Sequence, residues 1–281
     1  MFNMKSALYL LLALVAQALT PVAWAEDTAS NELYFGSVAM DVPAVMHRRL
    51  LPLTKYLSEA LQRPVSLKLS PDMPTAIKEV AEGTVNLAYL TPVAYIKAKN
   101  SGGVRLVAKA VTNGAGSFRL MVVAKEGGAI RNIEDLTGKR FAFGDKAALL
   151  QRAVLVGAGM PLEQLGSYAF IGHYDNILRG VLNEDFDGGL LKDTAVEQAH
   201  GKGVKVLYAS PALPPYNIVA SRDMDDKLLE KVRQALLSLD ARNPAHVKII
   251  QSLDEQYDGF APVKDEEYDI VRKLIKPFEK G

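Results

Sequence analysis

Val85-Asn86-Leu87-Ala88-Tyr89-Leu90-Thr91-Pro92-Val93-Ala94-Tyr95 joins an apolar, β-prone run to a helix start with nothing between them. Residues 85–90 read as a strand, Thr91 can accept from the first free helix amides, and Pro92 suits the first turn because its missing N–H would have no partner there. A strand that feeds directly into a capped helix is half of a βα unit, and the flanking sequence repeats it. Upstream, residues 33–38 read as a strand. Pro43 opens a helix whose Val45, Leu50, Leu53, Leu57 and Leu61 share an inward face, a second strand follows at 65–69, and Pro74 opens a helix that Gly83 closes. This alternation predicts an α/β fold of mostly parallel sheets flanked by helices.

Downstream, a strand at 104–111 is followed by Thr112-Asn113-Gly114-Ala115-Gly116-Ser117, expected to be a flexible polar segment, and then by an apolar strand at 118–124. The pattern then restarts: a short helix at 133–136, a strand at 139–143, a helix at 147–157, a strand at 168–171, a helix at 175–182, a strand at 186–191, a helix from Thr194 and a strand at 204–207. The restart places a first crossing between two lobes near 112–118, and Pro211-Ala212-Leu213-Pro214-Pro215 marks the return. The tail supplies a helix at 225–239 and two further helical pieces that would lean back on the first lobe. The expected organisation is a leader at 1–25, a first lobe at 26–114, a second lobe at 115–212 and a return to the first lobe at 213–281.

The first 25 residues carry a cationic start ending at Lys5, an apolar stretch over 7–19, and small residues in Ala23-Trp24-Ala25 before Glu26-Asp27. That is the layout of a cleaved export signal, and the apolar stretch falls short of the roughly 20 residues of a membrane span. The whole chain of 281 residues has 33 Lys and Arg against 32 Asp and Glu. Because Lys5 is the only charge before residue 26, the mature chain is formally neutral, which argues against a nucleic-acid partner. Cysteine is absent, excluding disulfides, thiolate metal sites, a cysteine nucleophile and a thioether lipid anchor. An exported, disulfide-free protein fits a bacterial periplasm. The four histidines, at 47, 173, 200 and 246, have no metal-ligand spacing, and no phosphate-binding loop, dinucleotide fingerprint or nucleophile elbow occurs, so neither metal, cofactor nor catalysis is expected.

In an open α/β sheet the ligand crevice lies beyond the carboxyl ends of the strands. The loops at 39–43, 91–92, 144–147, 172–175 and 192–194 follow predicted strands, and their helix starts would favour an anion, with Arg119, Lys146 and Lys192 as charge partners.

Phe35-Gly36, Pro52-Leu53, Tyr56-Leu57, Thr91-Pro92-Val93-Ala94-Tyr95, Glu134-Asp135-Leu136, Gly138-Lys139-Arg140-Phe141-Ala142-Phe143, Gly172-His173-Tyr174-Asp175, Asp187-Gly188-Gly189 through Asp193, and Gly259-Phe260-Ala261-Pro262 with Asp265 and Tyr268 occur in an order that resembles a known family. That family comprises the solute-binding proteins of phosphate, phosphite and phosphonate ABC transporters, with a two-lobed type II periplasmic binding fold. The resemblance implies a monomeric receptor, not an enzyme, that captures a small anion or zwitterion by lobe closure and delivers it to an inner-membrane ABC permease. The alternative partner is a membrane sensor kinase. It also implies that Tyr95 lies at the cleft. Asp41, Thr91, Arg119, Asp145, Lys146, His173, Tyr174, Lys192 and Asp193 complete the expected ligand set. One departure is plain. Where family members carry a Ser-Thr-Ser-Gly-like grip for phosphonyl oxygens, Gly144-Asp145-Lys146 runs straight into Ala147-Ala148-Leu149-Leu150, so that grip is missing and the ligand need not be a phosphonate.

Overall fold

The computed structural model describes residues 32–38 and 43–279; Asp41 and the leader at 1–25 lie outside them. In chain order the first half contains β1 (Leu33–Val38), α1 (Pro43–Leu61), β2 (Val65–Ser70), α2 (Met73–Ala81), β3 (Leu87–Leu90), α3 (Pro92–Gly102) and β4 (Arg105–Thr112). Then follow β5 (Leu120–Lys125), β6 (Arg140–Phe143), α4 (Leu149–Gly157), β7 (Ser167–Phe170), α5 (Tyr174–Leu182), β8 (Gly188–Lys192), α6 (Asp193–Gln198) and β9 (Val204–Ala209). The tail comprises β10 (Asn217–Ala220), α7 (Asp226–Leu237), α8 (Pro244–Ile250), β11 (Tyr257–Ala261) and α9 (Asp269–Ile275).

Two sheets result, ordered β11-β4-β10-β3-β1-β2 and β7-β6-β8-β5-β9. The parallel pairing predicted from the alternation is confined to one half of each: β1 pairs in parallel with β2 and β3, and β6 with β7 and β8. The other half of each sheet is antiparallel, because the strand next to a crossing enters from the opposite direction: β10 runs against β3 and β4, and β5 against β8 and β9. Each lobe is therefore a mixed sheet flanked by helices. The strands β10 and β11, where the sequence pattern showed only helices and a Pro-rich turn, are four and five residues long.

Local chemistry sets the element ends. Asp72 caps α2 by accepting from the Thr75 amide at 2.8 Å, and Thr91 caps α3 by accepting from the Ala94 amide at 3.1 Å, each helix carrying proline in its first turn. The inward face of α1 is Met46, Leu50, Leu53, Leu57 and Leu61; Met46 replaces the expected Val45, which is only partly buried, as the four-residue step back from Leu50 requires. The segment expected to be flexible after β4 is instead a closed two-residue hairpin turn. Asn113 and Gly114 both have positive φ, 52° and 72°, and Thr112 and Ala115 exchange both amide–carbonyl bonds. Asn-Gly takes that backbone at little cost, which is why the pair favours I′-type turns.

The crossings pair with each other, Phe118 and Leu213 exchanging backbone hydrogen bonds of 3.0 and 2.8 Å. In the tail, α7 and α8 pack on α1, where Tyr56 donates to the Ala235 carbonyl at 2.7 Å. The last helix touches both sets of helices: α9 packs against α3 and also against α4, Val271 and Ile275 joining Leu150, Ala153 and Val154 in one apolar cluster.

Candidate ligand-binding cleft

The ends of six strands, or the segments next to them, line one cavity. The carboxyl ends of β3, β4 and β8 bring Tyr89, Thr112 and Lys192; the start of α5, after β7, brings Tyr174; the residue before the antiparallel β10 and the amino end of β11 bring Tyr216 and Tyr257. Together with the hairpin turn and the segment before β11 they enclose a cavity of about 370 Å³, a size suited to a small molecule. Residues of both sheets and both crossings contribute to its wall. On one side Thr194 donates to Gln256 Oε1 at 3.4 Å, a hydrogen bond from the second lobe to the first.

The wall is dominated by tyrosine. Tyr89 and Tyr216 lie with ring centroids 5.2 Å apart, tilted by 51°, and the Tyr89 and Tyr257 hydroxyls share a hydrogen bond of 2.5 Å. Burial raises the pKa of the hydroxyls of Tyr89, Tyr174, Tyr216 and Tyr257, so all four are protonated at neutral pH. Neighbouring carboxylates push further in that direction: Asp254 acts on Tyr89, Tyr216 and Tyr257, Asp145 on Tyr216, and Asp193 on Tyr174.

Among the described residues of the wall, the charged groups are Lys192, Asp193, Glu197 and Asp254. The Lys192 ammonium lies 5.7 Å from the centroid of the Phe118 ring, within cation–π range. Asp193 is occupied by backbone donors: it accepts from the Arg119 amide at 2.7 Å and from the Thr194 amide at 2.9 Å. Asp254 accepts from the Gln256 amide at 2.9 Å through Oδ1 alone.

Of the ten residues singled out by sequence, the structure brings Tyr174, Lys192 and Asp193 to the cavity. Six others lie off its wall. Thr91 is spent on the α3 cap. Tyr95 is 1% exposed and its hydroxyl donates to Asp265 in the tail rather than facing the cleft. The Arg119 guanidinium donates to the Ser210 carbonyl across the crossings. Asp145 accepts from the Ala147 amide at 2.8 Å, Lys146 is exposed, and His173 holds the N-cap position of α5 with an exposed side chain that makes no capping bond. Missed were the tyrosines at 89, 216 and 257 and the acidic Glu197 and Asp254. Tyr89 was within reach, as it lies two residues before Thr91 at the end of a predicted strand. Tyr216 directly precedes β10 and Tyr257 opens β11, strands whose shortness hid them.

Comparison with known proteins adds an independent line. A family model described as "ABC transporter, phosphonate, periplasmic substrate-binding protein" matches residues 35–268. The phosphate-import protein PhnD of Mycolicibacterium smegmatis is 24% identical over 262 residues, spanning 79% of this chain and 78% of its own. A Xanthomonas citri protein solved bound to ATP superposes with a TM-score of 0.73 at 16% identity, covering 89% of this chain and 98% of its own. PhnD1 from Prochlorococcus marinus, in complex with methylphosphonate, gives 0.69 at 18% identity, covering 90% and 100%. At these identities the solved structures establish a common fold.

Proposed function

Since the chain belongs to the phosphonate family of periplasmic substrate-binding proteins of ABC transporters, a non-catalytic family, we propose that its cleft captures a small anion or zwitterion by lobe closure and that the closed form delivers it to an inner-membrane permease. One observation carries this reading: both lobes and both crossings contribute side chains to a single cavity of ligand size. A solute held there touches both lobes only when they are together, so its binding energy favours the closed state. Tyr174 and Lys192 would supply a hydroxyl donor and a charge to the solute, and Asp193 would hold the start of α6 against Arg119. Export with loss of residues 1–25, and lobes at 26–114 with 213–281 and at 115–212, complete the proposal. Among the described residues no helix is long and apolar enough to cross a membrane.

The test is a thermal shift on mature protein stripped of ligand by unfolding and refolding. Phosphate, phosphite, phosphonates, sulfonates, carboxylates and amino acids form the panel. A true ligand at saturating concentration raises Tm by several degrees, about what 2–3 kcal/mol of linked binding produces. A flat response to every member would remove the support for a solute receptor.

A further inference from the structure

The last helix is held differently at its two contacts. In Asp269-Ile270-Val271-Arg272-Lys273-Leu274-Ile275 the apolar residues fall into two i,i+4 pairs, Ile270 with Leu274 and Val271 with Ile275, and the second pair is buried. Toward α3 the ties are directional. The Tyr95 hydroxyl of α3 donates to Asp265, shortly before α9, and the Tyr95 ring lies 4.5 Å from that of Tyr268. Arg272 of α9 donates to the same Asp265 carboxylate at 2.5 Å and to the Asp265 carbonyl at 3.1 Å, so the bonded network runs from α3 into α9 itself.

Toward α4 the contact is apolar. Val271 and Ile275 share a cluster with Leu150, Ala153 and Val154, and Leu274 packs against it. A Cβ on Gly157, the last residue of α4, would stand 2.8 Å from Leu274 Cδ2, so the two helices meet closely there. Among the described residues no hydrogen bond or ion pair joins α9 to α4. Hydrogen bonds fix one geometry, whereas apolar contact is non-directional and can part along the plane between side chains. A rotation that separates α4 from α3 therefore leaves α9 on α3 and breaks its contact with α4.

We propose that α9 is a strap on lobe opening: its apolar contact with α4 stabilises the arrangement in which Thr194 reaches Gln256, and opening strips that contact away. This rests on the proposed closure of two lobes, with α3 in one and α4 in the other, and adds a control that lies outside the cleft. The closed fraction enters the apparent affinity of any solute that closure traps. The α9–α4 contact thus tunes solute retention without touching the solute.

The experiment needs no ligand. The chain has no cysteine, so His200→Cys and Glu255→Cys, exposed positions beyond Thr194 and beside Gln256, take spin labels without background. Distance distributions between the labels are recorded by electron paramagnetic resonance on refolded mature protein carrying this pair. Leu274→Ala, which thins the contact, and Gly157→Ala, which pushes Leu274 off α4, should each raise the ratio of long to short distances by about fivefold or more. Leu61→Ala, a truncation in the separate apolar cluster around α1, should lower stability and leave the ratio unchanged. Gly157→Ala retains every apolar atom of the contact and carries the test if Leu274→Ala does not fold. A ratio that neither α9–α4 variant moves, or that Leu61→Ala moves as much, overturns the inference. If it is overturned while a member of the solute panel raises Tm, the receptor reading stands. A flat panel beside a ratio that responds to both variants removes the receptor reading and keeps the strap.

Discussion

Tyr95 is held at both ends. Its ring lies 4.5 Å from that of Tyr268, and its hydroxyl donates to Asp265, which also accepts from Arg272 at 2.5 Å. The residue therefore ties α3 to the tail. Tyr95→Phe should lower stability by about 1 kcal/mol in denaturant titrations while leaving ligand affinity unchanged, since it deletes one hydrogen bond outside the cleft. Asp265 provides a pH test of the same tie. Burial opposes its ionisation, but the Tyr95 hydrogen bond and the Arg272 charge outweigh burial and hold its pKa below the usual carboxylate value. A carboxylate with a lowered folded-state pKa stabilises the fold above its unfolded pKa of about 4 and loses that contribution as pH falls through the folded value. Stability measured by urea titration should thus drop on acidification below about pH 4, and Asp265→Asn should flatten the drop. The sequence placed Tyr95 on the right helix turn. Which way it faces depends on Asp265 and Tyr268, far along the chain, and no local pattern contains that information.

Among the elements, those whose ends are written in side-chain chemistry were readable in advance. Thr91-Pro92 and Met73-Pro74 start helices where expected, and the α1 stripe followed its period with one step of drift. Thr91→Ala should destabilise by about 1 kcal/mol and leave binding intact, because the hydroxyl serves the α3 cap. The contact between α2 and α3 is similarly local: a Cβ on Gly102 would come within 2.4 Å of the Ala81 carbonyl oxygen and 2.5 Å of its Cα. Gly102→Ala should therefore cost about 1–3 kcal/mol, read as a lowered denaturation midpoint at unchanged slope. The hairpin at Asn113-Gly114 was read only as a flexible polar segment, since its polar composition is shared with mobile segments. The strands β10 and β11 were unreadable for another reason. All four residues of β10 are buried, so no alternation marks it, and its partners β3 and β4 lie more than a hundred residues earlier.

At the scale of the molecule, the repeating βα units made two lobes readable, and a change of pattern after β4 located the first crossing. The cleft itself was only partly readable. Its second-lobe contributors, Tyr174, Lys192 and Asp193, follow strands in a regular βα repeat, so the crevice rule reached them. Its first-lobe contributors come largely from the tail, where the residue before β10 and the amino end of β11 line the same cavity. The tail also ends in α9, which packs on both α3 and α4 and so forms a third link beside the two crossings. The central claim, that this shared cavity holds a small solute, is tested most directly by native mass spectrometry of mature protein recovered under gentle conditions. The account predicts a one-to-one non-covalent adduct of a small molecule that is lost on unfolding, returns on exposure to a cell extract after refolding, and does not form with Ala115→Trp, which fills the cavity from the hairpin turn. A bare mass that no extract changes, or an adduct that survives Ala115→Trp, would contradict it.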